Sequence, residues 1–463
     1  MDLIKRAADR NMRLKWLPVF NMCAKWLSRG VLTVVAIFVL IYVAQFAMLV
    51  ESDIVDGRRF PPDPVQNKCT KRHFDPSLTP RPNSGVGKTI HLTNLGAFVD
   101  RCEFTDALDE LVWDREQARV GHSPLAIRQG AASLPKLTVL YVHGWKHDAS
   151  SNDPDSVRFK GLIERLAAVH GGKRQVLGIY VTWNATFYGI PFLDNLTFWS
   201  KKAVADRIAE SAVVTRIVSA MGALRDREAQ DLFIAIGHSF GARILFAATS
   251  QSLIYETANA HPGSPVRRSI SEPVIVHPGS RVAEYKIVNS ATDAVILLNP
   301  AFEASMYTSL DGITRIEERF SPKQAPLLIS ISTDNDFVTR YAYPIGQSLG
   351  LAYTAAERTT LGNFEPYFTH ALFPSDGTKC SKIDDPENFE AAGFCLARIG
   401  REIPVHGGRR FKGVQAFNPF YVARTTSELI DGHNGIWNDK FSNWVFYLIE
   451  DLRLRHEEAA KND

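Results

Sequence analysis

Leu232-Phe233-Ile234-Ala235-Ile236-Gly237-His238-Ser239-Phe240-Gly241-Ala242-Arg243-Ile244-Leu245-Phe246 is the stretch that decides the fold. Its first five residues are apolar and read as a buried strand; residues 242–248 read as a helix. Between them lies Gly237-His238-Ser239-Phe240-Gly241, a G-x-S-x-G turn. Strand, turn and helix in that order make the setting of a nucleophile elbow. The turn is tight enough to strain its central residue, and a Cβ at either flanking glycine would meet the adjoining strand and helix. The strain lifts the Ser239 hydroxyl off the sheet, at the positive end of the helix that follows.

Outward from this stretch, β-like and helix-like runs alternate. Strands are expected over 89–92, 136–143, 175–183, 231–236, 294–298, 327–332 and 417–422, and helices over 156–170, 201–224 and 438–454. Such alternation implies an α/β chain with a mostly parallel sheet covered on both faces. Two long interruptions stand apart. Residues 257–290 carry His-Pro-Gly-Ser quartets at His261 and His277, read as turn chemistry on a surface insertion and not as a metal site. Residues 344–416, with Cys380 and Cys395, are expected to form a lid or a substrate wall.

A serine hydroxyl is a poor nucleophile at neutral pH without a base, and the base needs an orienting carboxylate. In a strand-turn-helix elbow the expected chain order is serine, acid, histidine. The strand over 327–332 runs into Thr333-Asp334-Asn335-Asp336. Asp336 is the expected acid, because one further step into the loop lets it turn towards the histidine. Asp334 is the second candidate acid, or else a turn residue bonding its own backbone, and Glu303, after the preceding strand, is the third. The glycine-flanked loop Asp431-Gly432-His433-Asn434-Gly435 presents His433 as the expected base. His370 and His406 are poorly placed for that role, and His238 reads as a packing residue. Two N–H groups are needed for the oxyanion. Phe240 supplies one as the residue after the nucleophile. Trp145, in His143-Gly144-Trp145-Lys146 after the strand that ends at Val142, is the expected source of the other.

With Tyr141-Val142-His143-Gly144-Trp145, Gly237-His238-Ser239-Phe240-Gly241, Asp336 and His433, the chain resembles the α/β-hydrolase superfamily over about residues 88–455. Within it the chain is similar to serine-esterase-like hydrolases with a His-Gly-Trp oxyanion strand. The resemblance implies an eight-stranded, mostly parallel sheet and an acyl-enzyme mechanism. His433 would take the Ser239 proton, Ser239 would attack an ester carbonyl, Phe240 and Trp145 would hold the oxyanion, and water would release the acid. That chemistry calls for no cofactor and no metal. The expected activity is carboxylester hydrolysis, esterase- or lipase-like. The alternatives are an acyltransferase on the same scaffold and a binding protein with an idle triad. A complete serine, aspartate and histidine set in the right order speaks against the last.

The ends of the chain concern location. Basic residues crowd positions 1–30, and 31–50 is an uncharged apolar run of the length that spans a bilayer. Glu51, Asp53 and Asp56 follow it. The positive-inside rule keeps the N-terminus in the cytoplasm and sends the rest to the exported, periplasmic or extracytoplasmic side. The run exceeds the apolar core of about 7–15 residues of a cleaved signal peptide, and no A-x-A site follows, so an uncleaved anchor is expected. The expected layout is a basic segment 1–30, an anchor 31–50, a proline-rich linker 51–87, a catalytic domain 88–455 and a tail 456–463. Four of the five cysteines, Cys69, Cys102, Cys380 and Cys395, lie beyond the anchor, where an oxidising compartment permits two disulfides. Proximity favours Cys69 with Cys102 and Cys380 with Cys395, though four cysteines allow three connectivities. A net charge of +3 is too small to suggest nucleic acid. Gly85-Val86-Gly87-Lys88-Thr89 imitates a phosphate loop, but Pro82 stands where the pattern needs its first glycine. The expected partners are therefore the membrane and an ester, with nearness to the bilayer favouring a lipidic one. Oligomeric state leaves no mark in the sequence.

Overall fold

The computed structural model of the protein describes residues 86–120, 134–186 (without 151 and 171), 197–260, 287–315, 320–349, 352–375, 388–399 and 417–461, together with isolated positions at 32–43, 69, 380, 403–404 and 410–411. Twelve strands are named among these residues. They are β1 (Val86–Leu92), β2 (Lys136–Val142), β3 (Gln175–Trp183), β4 (Leu232–His238), β5 (Ala294–Leu298), β6 (Leu328–Thr333), β7 (His370–Pro374), β8 (Phe389–Ala391), β9 (Phe394–Arg398), β10 (Ile403–Pro404), β11 (Arg410–Phe411) and β12 (Phe420–Thr425). Ten form one sheet in the order β1-β3-β2-β4-β5-β6-β12-β7-β9-β8, and β10 pairs with β11 apart from it. The first eight strands of that order are mutually parallel; β9 and β8 add an antiparallel edge. The expected mostly parallel, helix-covered sheet is present, and it has ten strands instead of eight.

Period-two side-chain alternation divides the core in two. On one face Leu140, Val142, Phe233, Ala235, Val295 and Leu297 pack against α1 (Arg101–Val120), α3 (Phe198–Glu210), α4 (Val213–Leu224) and α5 (Phe240–Asn259). On the other, Val139, Tyr141, Ile234, Ile236, Ile296 and Ile329 pack against α2 (Pro154–His170) and α9 (Asp439–Lys461). The central strands are buried on both faces, which is why they read as continuous apolar runs. Each fully buried Ile or Phe contributes roughly 1.5–3 kcal/mol.

Three expectations shift. The helix expected over 201–224 is two helices, α3 and α4, broken at Ser211 and Ala212. Ala212 has φ +58°, and the Ser211 hydroxyl donates to the Ile208 carbonyl at 2.7 Å. A serine that competes for helix carbonyls weakens the helix where it sits. The last parallel strand begins at Phe420, not 417, because Phe417 is left-handed and Pro419 precedes the strand. In the 344–416 insertion, β7, β9 and β8 extend the sheet, while the short helices α7 (Tyr343–Leu349) and α8 (Ala355–Arg358) lie before them. The eight-residue α6 (Thr308–Arg315) follows β5.

The lysine of the phosphate-loop imitation, Lys88, lies in the middle of β1 with Gly87 and Thr89. Disulfides join Cys69 to Cys102 and Cys380 to Cys395, with Cα separations of 5.3 and 5.7 Å. Of the expected anchor, Leu32, Thr33, Ala36, Val39, Leu40 and Val43 are described, and all six are helical and exposed. The remainder of 31–50, most of the linker, and His261, His277 and His406 lie outside the described residues. Among the described residues no helix is long and apolar enough to cross a membrane.

Candidate active site

The parallel register aligns the C-terminal ends of β2, β4, β5, β6 and β12 along one rim. Val142 sits beside Gly237, His238 beside Leu298, and Thr425 beside Thr333. At the end of β4 the chain turns directly into α5 through Ser239, whose φ is +54° and ψ is −119°. A serine in this region carries about 1–3 kcal/mol of strain. Hydrogen bonds hold it there: Ser239 N–H donates to the Leu298 carbonyl at 3.0 Å, and the Ser239 carbonyl accepts from Ala301 N–H at 3.2 Å. The close pass of α5 over β2 explains Gly241, where a Cβ would lie 2.1 Å from the Val142 carbonyl oxygen.

Ser239, His433 and Asp336 form one hydrogen-bonded chain. The His433 Nε2 to Ser239 Oγ distance is 2.7 Å, and His433 Nδ1 to Asp336 Oδ2 is 2.7 Å. The carboxylate can only accept, so Nδ1 carries the proton and Nε2 accepts from the serine hydroxyl. Asp336 is fully buried and doubles as the cap of the turn that follows it. Its Oδ1 accepts Val338 N–H at 2.9 Å and Thr339 N–H at 3.2 Å, and its Oδ2 accepts the Thr339 hydroxyl at 2.7 Å. Burial works to raise the carboxyl pKa, but neighbouring His433 and the Thr339 donors outweigh it and hold the group below the usual carboxylate range.

The other candidates go elsewhere. The Asp334 carbonyl accepts from Arg340, and Asp334 N–H donates to Thr425. Glu303 pairs with Arg243 and Lys202, and against the effect of burial these cations bring it to about 2. His370 is buried in β7 and stacked on Tyr421 at 3.7 Å. Burial lowers it to about 3.

The expected oxyanion residues flank the serine. Phe240 is the first residue of α5. Gly144 presses against Ser239: a Cβ there would be 2.7 Å from Ser239 Cβ. The Trp145 indole donates to the Thr197 hydroxyl at 3.2 Å, and its ring packs edge-on to Phe198. Phe198 also packs against Phe240 at 5.0 Å and Trp199 at 5.1 Å, so an aromatic group walls this side of the elbow.

Sequence reasoning missed four residues that hold the site. His143 is fully buried, and its Nε2 accepts Trp183 N–H at 3.1 Å. The proton must then sit on Nδ1, which donates to the Gly144 carbonyl at 2.8 Å. Burial first, and the nearby His147 second, lower its pKa to about 3, so the ring is neutral. Gly144 C=O and Trp145 N–H belong to one trans peptide and point in opposite directions. By fixing the carbonyl, His143 fixes the N–H. The His433 loop is pinned by the other three. Asn299 donates to the carbonyls of Gly432 at 3.3 Å and His433 at 2.9 Å, while accepting Thr333 N–H at 3.1 Å. His238 Nε2 donates to the same His433 carbonyl at 3.0 Å. Asn335 accepts Gly432 N–H at 2.9 Å and donates to Asp431 at 2.8 Å. One signal was readable in the sequence: Asn299 follows the β5 strand on the rim that carries the elbow.

Searched against models of known families, curated proteins and solved structures, the chain finds no match.

Proposed function

We propose that this protein is a serine hydrolase of the α/β-hydrolase fold, acting on carboxylic esters through an acyl-enzyme. The observation that carries the reading is the unbroken chain from Asp336 through His433 to Ser239, with 2.7 Å at each link, beginning on a strained elbow at a helix N-terminus. His433 Nε2 accepts the Ser239 proton as Oγ attacks the carbonyl carbon. Asp336 stabilises the resulting imidazolium without taking its proton. The N–H groups of Phe240 and Trp145 stabilise the oxyanion. His433 then protonates the leaving alcohol, and water repeats the sequence to release the acid.

A lipidic or amphipathic ester is the favoured substrate class. Phe337, Tyr341 and Ile345, four residues apart beside the acid, are 67%, 50% and 63% exposed. An apolar stripe next to a catalytic group suits substrates drawn from an interface. We place the catalytic domain outside the cytoplasmic membrane, held by residues 31–50. Two disulfides and the exposed helical Leu32, Val39, Leu40 and Val43 support that location.

The test is labelling of the full chain with a fluorophosphonate probe, beside Ser239→Ala, followed by a screen of esters of graded acyl length. Labelling lost only in the variant is expected. No labelling of folded wild-type protein would refute an activated serine.

A further inference from the structure

We propose that His147, Asp155 and His238 bind one zinc ion, tying the 143–155 loop to the elbow. One candidate ligand atom from each residue lies within 4.8 Å of the others. In each case the remaining polar atoms are already engaged. His147 Nδ1 is 3.0 Å from Asp153 Oδ1, which leaves Nε2. His238 Nε2 donates to the His433 carbonyl, which leaves Nδ1, a buried lone pair with no hydrogen-bond partner among the described residues. Asp155 accepts from the Tyr180 hydroxyl at 3.3 Å and from the Trp437 indole. Ligands whose far atoms are held by a carboxylate, a backbone carbonyl and neutral donors are the outer-shell pattern of a metal centre.

Charge argues the same way. Asp155 is 1% exposed, and the side chains that donate to it, among them Tyr180 and Trp437, are neutral. A buried carboxylate needs a cation close by. A protonated His147 could supply one charge to Asp153 and Asp155, but it leaves the His238 lone pair unsatisfied. A dication satisfies all three. Two imidazoles and one carboxylate suit zinc, with water in a fourth position. Tetrahedral bonds of about 2.0–2.2 Å place ligand atoms about 3.3 Å apart, so side-chain adjustments of about 1 Å close the site.

The backbone is shaped for this convergence. Lys146 and Ala149, on either side of His147, have φ of +72° and +58°. Left-handed non-glycine residues persist only where their surroundings over-determine them. Asp153 does so here, accepting the N–H groups of Asp148 and Asp155, each at 2.8 Å. The ion would join three parts of the site: the loop that carries Trp145, the residue before Ser239, and, through His238 Nε2–H, the His433 carbonyl. It is a positioning element and takes no part in the reaction.

The test uses the full chain in detergent, stripped with a chelator, reloaded with zinc and desalted. Elemental analysis should give one zinc per chain, and reloading should raise the melting temperature by a few degrees. His147→Ala and Asp155→Asn should lose the zinc and the shift. Asp153→Asn should weaken binding about 10–100-fold, the usual effect of an outer-shell partner. Wild-type protein that retains no zinc overturns the proposal, whatever the variants do. So does zinc held equally by wild type and folded variants. His147→Gln replaces His147→Ala should the latter not fold. Neither readout requires catalysis, so this proposal and the hydrolase reading fail separately.

Discussion

Replacing His143 by leucine tests whether a neutral histidine holds the Gly144–Trp145 peptide in orientation. The leucine removes one hydrogen bond to the Gly144 carbonyl. A typical bond of this kind has a net value of about 0.5–1.5 kcal/mol. The observed orientation should therefore be disfavoured by up to roughly tenfold. Complete loss of an oxyanion donor would cost about 10²–10³ in kcat and sets the ceiling. The expected result is a fall of about 5–10-fold in the rate of fluorophosphonate labelling and in kcat on a soluble ester, with KM unchanged. Stability should also fall, by about 1–3 kcal/mol, because Trp183 N–H loses its acceptor in a buried place. His143→Gln, which can still donate to the carbonyl, should recover part of the rate. An unchanged labelling rate in folded His143→Leu protein would refute the lock. A loss confined to KM would assign His143 to ground-state binding instead.

Asp336→Asn should leave the fold intact and lower kcat by about 10⁴, since the amide favours the wrong histidine tautomer. The folded Asp336 carboxyl is depressed, so its stabilisation is present above its unfolded pKa of about 3.9 and is lost as pH falls through the folded value. Urea melts of wild type and Asp336→Asn should accordingly converge below about pH 4; a gap that widens in acid would contradict the assignment. Asn299→Ala removes three hydrogen bonds, one buried and two half-buried, and puts alanine at a φ of +41°. It should cost about 2–4 kcal/mol in urea denaturation and lower kcat by freeing the His433 loop; a cost under about 0.5 kcal/mol would show that loop to be held by other contacts. Tyr341→Ser combined with Ile345→Ser should reduce turnover of vesicle-borne esters by about tenfold, while a soluble short-chain ester is cleaved at nearly the wild-type rate. Equal losses on both substrates would remove the interfacial role of that stripe.

The legible parts of this molecule were local and periodic. The runs 232–236, 294–298 and 175–183 are apolar because both faces of the central strands are covered, and each appears as a strand with nearly the expected bounds. The elbow was legible because its glycines answer a steric demand, visible at Gly241 against the Val142 carbonyl. Asp336 and His433 could be named from their places just past strands, and the fold brings both to Ser239. What sequence alone could not supply was long-range and polar. His143 is one residue from Gly144 in the chain, but its meaning depends on Trp183, forty positions away. Asn299 reaches His433 across 134 positions. The break at Ser211 also escaped, since apolar spacing runs through it and only a local hydroxyl bond interrupts it. The strands β7, β8 and β9 of the 344–416 insertion are short and attach to a sheet edge, where alternation over three to five residues carries little signal.

The bridge between Cys69 and Cys102 sets the length of a leash. If residues 31–50 lie in the bilayer as proposed, Val86, where β1 begins, stands 36 positions beyond Val50, a span of at most about 125 Å. Cys69, which the bridge fixes to the body at Cys102, stands 19 positions beyond Val50, a span of at most about 65 Å. The area within reach scales with the square of the span, so under the proposed anchoring the bridge would shrink it about 3.6-fold and would concentrate the body against the lipid by a similar factor. Reduction would lengthen the leash without touching Ser239. Under the proposed anchoring, the redox state of the compartment would then govern how far from the bilayer the body can stand.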